Sequence, residues 1–513
     1  MQSFSSESAG TAQACSGLRQ SLCLRAFVRR LSLVLSDVQT DNDRMDFQPL
    51  RKMVDRRDLL KAAGVGVAAS CLPRGLEAAA VGPGKAKSVL FLWMAGGVTH
   101  IDSFDPKPSA PSEIRGTLSD IATNLPGVRF CETLPNLSKI ADQLAVLRSY
   151  SHGSNDHLDS QVYTLTGRKV NQANLFTHPN IGSIVSHLRG PRAGMPGYMA
   201  IPGVTRPGPP PYNFFVGGWL GSTHAPYCLG GLPKEPDFTV KKKSFHPNEH
   251  LQEDLVPKSL TLEEFSLGRL NRRARLRERF DSALRHLDKQ DNISSAESNY
   301  QGALRLLKTP KIRTAFDIKH EKQATRENYG RTKIGGRCLM ARRLIEAGAR
   351  FVMVDYGYDS DYGNIWDNHN APSQKHPPIQ TMVKRAYHVA GMDKAFAALI
   401  SDMRSRGLLE STMVVFVTEF GRTPKINKRG GRDHWGAAGS LFFTGGGTRV
   451  GQVIGKTDKN AAEPVTRGYS PADVTATIYS AMGINYHAMV HDILDRPRPI
   501  LPKGSPIREV FRG

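Results

Sequence analysis

Residues 412–435 read TMVVFVTEFGRTPKINKRGGRDHW. The unbroken apolar run from Met413 onward, rich in β-branched side chains, predicts a strand over Met413 to Thr418 that is buried on both faces, as in the middle of an α/β sheet. The run stops abruptly at Glu419 and Arg422, and Asp433-His434 follow in a glycine-rich loop. Open α/β sheets assemble their sites at the C-terminal ends of strands, so the stretch that announces the sheet also announces a site. A carboxylate left unpartnered at the end of an apolar strand is costly to bury. Glu419 is therefore expected to bind a ligand or to pair with Arg422.

Working outward, the same pattern recurs. Lys87 to Met94 (KSVLFLWM) is an apolar run ending in Ala95-Gly96-Gly97, and Leu144 to Arg148 is a second strand candidate. Residues 332–349 (TKIGGRCLMARRLIEAGA) predict a helix feeding directly into a strand at Arg350 to Val354, a helix–strand unit of parallel sheets. A long helix is expected from about Thr381 to Ser405, a short strand at Ser440 to Thr444, and a C-terminal helix over Ser470 to Met482 with a Ser-Pro start and a Gly stop. Strands and helices alternate throughout, which predicts an α/β fold with a doubly wound, mostly parallel sheet and helices on both faces. The domain is expected to occupy residues 81–513. A Pro/Gly-rich insertion near 196–245 reads as an irregular surface region or lid, and residues 259–290 read as an amphipathic surface helix.

Four clusters of acids and histidines each follow an expected strand: His100 with Asp102, His152 with Asp156 and His157, Asp367 with His369, and Glu419 with Asp433 and His434. In a parallel sheet all strand C-termini lie on one edge, so clusters distant in sequence converge. Mixed carboxylate and imidazole groups suit zinc, manganese or calcium according to their proportions. The expected ligands of such a divalent metal are Asp102, Asp367, His369, Glu419, Asp433 and His434. The plainer readings are turn caps before Pro106 for Asp102 and the neighbouring Asp105, and an ion pair with Arg422 for Glu419.

The chain has 513 residues, 39% hydrophobic and 23% charged, enough for a large core. Its formal charge of +22 favours anionic partners, an acidic polysaccharide or an anionic ester among them. Nucleic acid is not expected, because the basic clusters at Lys241-Lys242-Lys243 and Arg269 to Arg285 lack interleaved aromatics and no zinc-finger or homeodomain spacing occurs. No window reaches the roughly 20 apolar residues of a membrane span, so no integral span is expected. Of six cysteines, Cys131, Cys228 and Cys338 lie beyond the N-terminal region, an odd number that argues against a disulfide scaffold and leaves at most one bridge, such as Cys131–Cys228.

Residues 55–80, DRRDLLKAAGVGVAASCLPRGLEAAA, carry Arg56-Arg57, then a short Ala/Gly/Val run and the small residues Ala78-Ala79-Ala80. That is the form of a twin-arginine export signal, placed near 53–80. Residues 1–80 are thus expected to be a disordered leader and signal read by the twin-arginine export machinery, with Met45 and Met53 as alternative starts. The mature protein is expected to be exported, periplasmic or extracellular.

The segments GGVTHIDSFDPKP (96–108), ARRLIEAGARFVMV (341–354), WDNH (366–369), TEFGRTP (418–424) and GRDHW (431–435) resemble those of secreted bacterial proteins grouped as domain of unknown function family 1501. The resemblance runs from about Lys87 to Met482 and implies likeness in fold to the alkaline phosphatase and sulfatase superfamily, with metal-assisted hydrolase ancestry. Sulfatases carry Cys/Ser-x-Pro-x-Arg followed by Leu-Thr-Gly-Arg. Here Leu165-Thr166-Gly167-Arg168 is intact, but His157 stands at the nucleophile position, Asp159 at the Pro and Gln161 at the Arg, so a formylglycine route is closed. The superfamily's strand-end Asp-His pair becomes Glu419-Phe420. The resemblance then implies an exported metal-dependent hydrolase of sulfate or phosphate esters, with His157 as ligand or acid/base and Arg422 neutralising an anionic ester. The alternative is a non-catalytic secreted binding protein on the same fold.

Overall fold

A computed structural model describes residues 84–203, 214–230, 310–359, 362–370 and 376–511, with residue 272 alone. The chain divides into two units, Met1–Ala79 and Ala80–Gly513, and every described residue belongs to the second. The expected export signal and most of the expected helix at 259–290 lie outside the described residues.

Eight strands build the main sheet: β1 (Ser88–Trp93), β2 (Ala145–Tyr150), β3 (Tyr198–Ile201), β4 (Tyr227–Cys228), β5 (Phe351–Asp355), β6 (Thr412–Val417), β7 (Gly439–Gly445) and β8 (Gln452–Ile454). Their order is β8-β2-β7-β6-β1-β5-β3-β4. All neighbours are parallel except β7, which runs antiparallel to both β2 and β6. The exception has a physical reason. β7 follows β6 through a connection without a helix among its elements, and a parallel return needs a longer crossover.

Alternate residues of the central strands feed two separate cores, because side chains on a strand point to opposite faces in turn. Leu90, Leu92, Val352, Val354, Val414 and Phe416 pack beneath α3 (Lys333–Ala347) and α4 (Val389–Ser405), once α1 (His157–Thr166) and α2 (Ile181–Arg189) are counted first in the chain. Val89, Phe91, Trp93, Met353, Val415 and Val417 pack on the other face against α1, α2 and α5 (Pro471–Ala481). The result is the expected doubly wound sheet with helices on both faces.

Two local expectations change. The Pro/Gly-rich stretch read as irregular contains β3 and β4, since four buried residues between Gly197 and Pro202 suffice for a short inner strand. The helix expected from Thr381 to Ser405 is two, Ile379–Met382 and α4. The chain doubles back between them so tightly that a Cβ on Gly391 would sit 1.7 Å from the Ala386 carbonyl oxygen.

Register fixes where the functional loops emerge. Trp93 of β1 is level with Val417 of β6 and with Asp355 of β5, so the loops after these three strands open on one edge of the sheet. No helix among the described residues is long and apolar enough to cross a membrane.

Candidate metal centre

Two residues past β6, Glu419 is fully buried. Its carboxylate accepts hydrogen bonds from the Gly96 N–H (2.8 Å to each oxygen), from the Gln161 side-chain amide (2.9 Å) and from His157 Nδ1 (2.9 Å). Gly96 meets this demand with φ +124°, and a Cβ there would lie 2.9 Å from that of Trp366. His157 and Gln161 reach the same oxygen because both stand on α1 four residues apart, hence on one helix face. Asp156 caps that helix, accepting from the N–H groups of Leu158 and Asp159, and so sets the position of His157 at its first turn. Burial opposes the charge of Glu419, but His157, Gln161 and Gly96 outweigh it and hold the carboxyl below its ordinary range.

The other ring nitrogen of His157, Nε2, lies 3.2 Å from Oδ1 of Asp367. The same oxygen is approached by His434 Nε2 at 2.9 Å, Arg422 Nη2 at 3.0 Å and His369 Nε2 at 3.4 Å. Burial works against the Asp367 charge, yet the three histidines and Arg422 hold its carboxyl well below the usual carboxylate range. On His157, burial is likewise outweighed by Asp367 and Glu419, and its pKa rises. On His434 burial prevails over Asp367 and lowers the pKa, with Arg422 and His157 acting in the same direction.

The proton positions can be assigned from partners. His434 Nδ1 faces the Asn155 carbonyl oxygen at 2.9 Å, an acceptor only, so the neutral ring carries its proton there. With that proton on Nδ1, Nε2 turns its lone pair towards Asp367 Oδ1 2.9 Å away, so that the two atoms could bind one cation between them. His157 joins the two acids, with Nδ1 on Glu419 and Nε2 towards Asp367. Ligand atoms about 2.0–2.2 Å from a shared ion lie about 3.0–3.5 Å from one another; Asp367 Oδ1 is 3.2 Å from His157 Nε2 and 2.9 Å from His434 Nε2, and the three donors lie within 4.8 Å of one another. His157, Asp367 and His434 are the one group of metal-ligating side chains of this density among the described residues. Their donors fit a divalent ion, and the hydrogen bonds behind the rings are those that orient metal-bound imidazoles.

Sequence reading named six ligands, and the structure distributes them. Asp367 and His434 sit in the cluster, joined by His157, which was expected as an acid/base or ligand. His369 is at its rim, 29% exposed, with Nδ1 3.8 Å from Asp433 Oδ1, so Asp433 stands behind His369 and not at the centre. Glu419 points at His157 and is saturated by protein donors, which makes it a support for a ligand. Asp102 is elsewhere: both its oxygens accept from the buried Arg432 guanidinium, at 2.8 and 2.9 Å, and Thr99 adds a third hydrogen bond. Arg422, expected to face an anionic ester, is fully buried and donates to the carbonyls of Gly96, Gly97, Trp366 and Arg432 as well as to Asp367.

Other clusters also resolve into supports. His152 holds the Glu419 carbonyl, His100 the Ala461 carbonyl, and Asp105 pairs with Lys107 and Thr457. Sequence reasoning gave no role to Gly96, Asn155 or Arg432. Only Gln161, one helical turn from His157, carried a usable signal.

Residues 86–511 match the family described as a protein of unknown function, DUF1501. The chain belongs to the DUF1501 family. No curated protein matches its sequence. Solved structures similar to this DUF1501 chain include the phosphonate monoester hydrolase SpPMH from Silicibacter pomeroyi (11% identity, 83% of this chain and 77% of that one, TM-score 0.35). The C-terminal periplasmic domain of EcEptC from Escherichia coli, in complex with zinc, is another (11%, 79% and 85%, TM-score 0.32). The PsFucS1 sulfatase from Pseudoalteromonas sp. is a third (14%, 84% and 72%, TM-score 0.28). TM-scores this low leave the function of the DUF1501 chain to be read from its own site.

Proposed function

We propose that this protein is an exported, metal-dependent hydrolase of anionic esters, sulfate or phosphate, that works without a formylglycine. The observation that supports it is the convergence of His157 and His434 on the ionised Asp367, each ring fixed from behind by a protein acceptor. The nitrogen-rich donor set favours zinc or manganese over calcium, which prefers oxygen alone. A divalent ion held there supplies Lewis acidity to an ester oxygen and makes a water molecule more acidic.

The chain's own residues do the rest. With an ion bound, Glu419 would hold the His157 proton on Nδ1 and leave Nε2 to the ion. Arg422 balances the Asp367 charge without leaving its buried seat. His369, on the open side with Asp433 behind it, is placed to pass a proton to the leaving oxygen.

Elemental analysis of protein that has been exported and folded normally tests this directly, together with hydrolysis of 4-nitrophenyl phosphate and 4-nitrophenyl sulfate. Stoichiometric metal and turnover are expected, and Asp367→Asn and His434→Gln should lose both. A normally folded protein without bound ion would remove the physical basis of the reading. The full commitment of Arg422 to protein partners favours one rival, a secreted binding protein that holds an ion but turns nothing over. Bound metal without hydrolysis of either ester is its signature.

A further inference from the structure

Beside the candidate metal centre, residues 423–433 form a loop whose exposed cations the proposed chemistry leaves unused. Its sequence, TPKINKRGGRD, places Lys425, Lys428 and Arg429 within five positions, and all three are exposed. None of them has an ion-pair partner among the described residues. The remaining cation, Arg432, is consumed by Asp102.

The loop is built, not merely basic. Asn427 Oδ1 accepts from the N–H groups of Arg429 and Gly431, both at 3.0 Å, and the backbone closes on itself through Asn427 N–H to Gly431 O at 2.8 Å. The Asn427 side-chain amide then donates to the carbonyl of His369 and to Asp433 Oδ1, each at 3.1 Å. Asn370 donates to the Arg429 carbonyl at 2.7 Å. One side chain thus ties the loop backbone at Arg429 and Gly431 to His369 and Asp433, at the open side of the candidate metal cluster. A loop whose backbone is already closed by hydrogen bonds has less ordering left to lose on binding an anion, and three cations within five positions raise the local positive potential.

We infer that the loop 423–433 is a binding subsite for a polyanionic glycan, reading sulfate or phosphate groups next to the one at the metal centre. The inference rests on the proposed function for what lies beside the loop, and it sharpens the substrate from a single anionic ester to an oligomer with several anions. A sugar polyanion is favoured over nucleic acid because the loop contains no aromatic side chain on which a base could stack.

The test is direct binding, which needs no turnover and so separates failure here from failure of the hydrolase reading. The probe is a fluorescent heparin-derived hexasaccharide, titrated into the full-length protein over a range of salt concentrations. The triple variant Lys425→Gln, Lys428→Gln, Arg429→Gln is expected to bind about tenfold or more weakly at low salt, with a flatter salt dependence and with unchanged Tm and metal content. Removing the same charge elsewhere, by Lys319→Gln, Lys322→Gln and Lys394→Gln, is expected to leave binding within about twofold. Equal loss in both variants, or no loss in the first, overturns the inference. So does equal binding of a neutral dextran oligomer, and a single-stranded oligonucleotide that binds as tightly and loses as much would assign the loop to nucleic acid.

Discussion

Glu419 and Asp102 are both acids beyond strand ends, and their surroundings give them different work. Glu419 meets a histidine that continues to the metal cluster, whereas Asp102 meets only Arg432 and Thr99. Glu419→Gln presents an amide that can donate to Nδ1 and turn the His157 proton towards Asp367. Metal affinity, read by competition with a chromogenic chelator, is expected to fall about 10–100-fold. Asp102→Asn strips a fully buried guanidinium of its counter-charge and is expected to cost about 3–5 kcal/mol in denaturant unfolding while the folded protein retains its metal. Reversal of these two outcomes would mean that Asp102, not the Glu419–His157 pair, serves the ion. Sequence reading treated both acids alike because the partner that separates them is remote: Arg432 lies 330 positions from Asp102. Asp367 and His434 stood out for a nearer reason, as acid–histidine pairs in the polar loops that follow apolar runs, the first rich in Asp and Tyr and the second in Gly.

At the scale of elements, the break before α4 is the most informative departure. His388, at the junction, is fully buried, and its Nε2 lies 2.9 Å from the Ile365 carbonyl and 2.8 Å from the Asn368 side-chain oxygen. It therefore ties the helix start to the loop that carries Asp367. Burial pushes its pKa down to about 3, with the Ile365 hydrogen bond opposing and His376 and Arg422 reinforcing. A histidine pKa lowered by folding contributes stability that is fully present above the unfolded value near 6.5 and is lost as pH falls towards the folded value. Between pH 6.5 and 5 the protein is expected to lose about 2 kcal/mol through this group, and His388→Gln should flatten the unfolding free energy by about 1.4 kcal/mol per pH unit there. A variant as steep as the wild type would place the acid sensitivity elsewhere. Apolar runs revealed β1, β5 and β6 in the sequence almost to the residue, since strands buried on both faces have little else in them. The helix break was hidden, because residues 383–388 contain neither Pro nor Gly and the turn is imposed by contacts made elsewhere.

At the scale of the whole molecule, a ligand that binds only the folded chain stabilises it by mass action. An ion present at about 100 times its dissociation constant adds about 2.7 kcal/mol. Dialysis against a chelator is expected to lower Tm by a few degrees, and stoichiometric zinc or manganese should restore it. Asp367→Asn, already unable to hold the ion, should show no chelator effect. The parallel alternation of the sheet was readable, but its strand order and the reversed β7 were not, because they depend on which edges remain open when each strand arrives.

The pairing of β1 with β6 carries one more consequence, in time and not in space. The Gly96 N–H and the Glu419 carboxylate it holds are 323 positions apart. Parallel pairing across such a span is slow, because the loop entropy is lost before any contact rewards it. His157, Asp367 and His434 have no reason to meet until that central pair has formed, so a growing chain offers an ion nothing to grip. Any ion that the site holds would accordingly be captured late in the life of the molecule. The compartment in which the last central strand docks would then decide which ion such a site meets first.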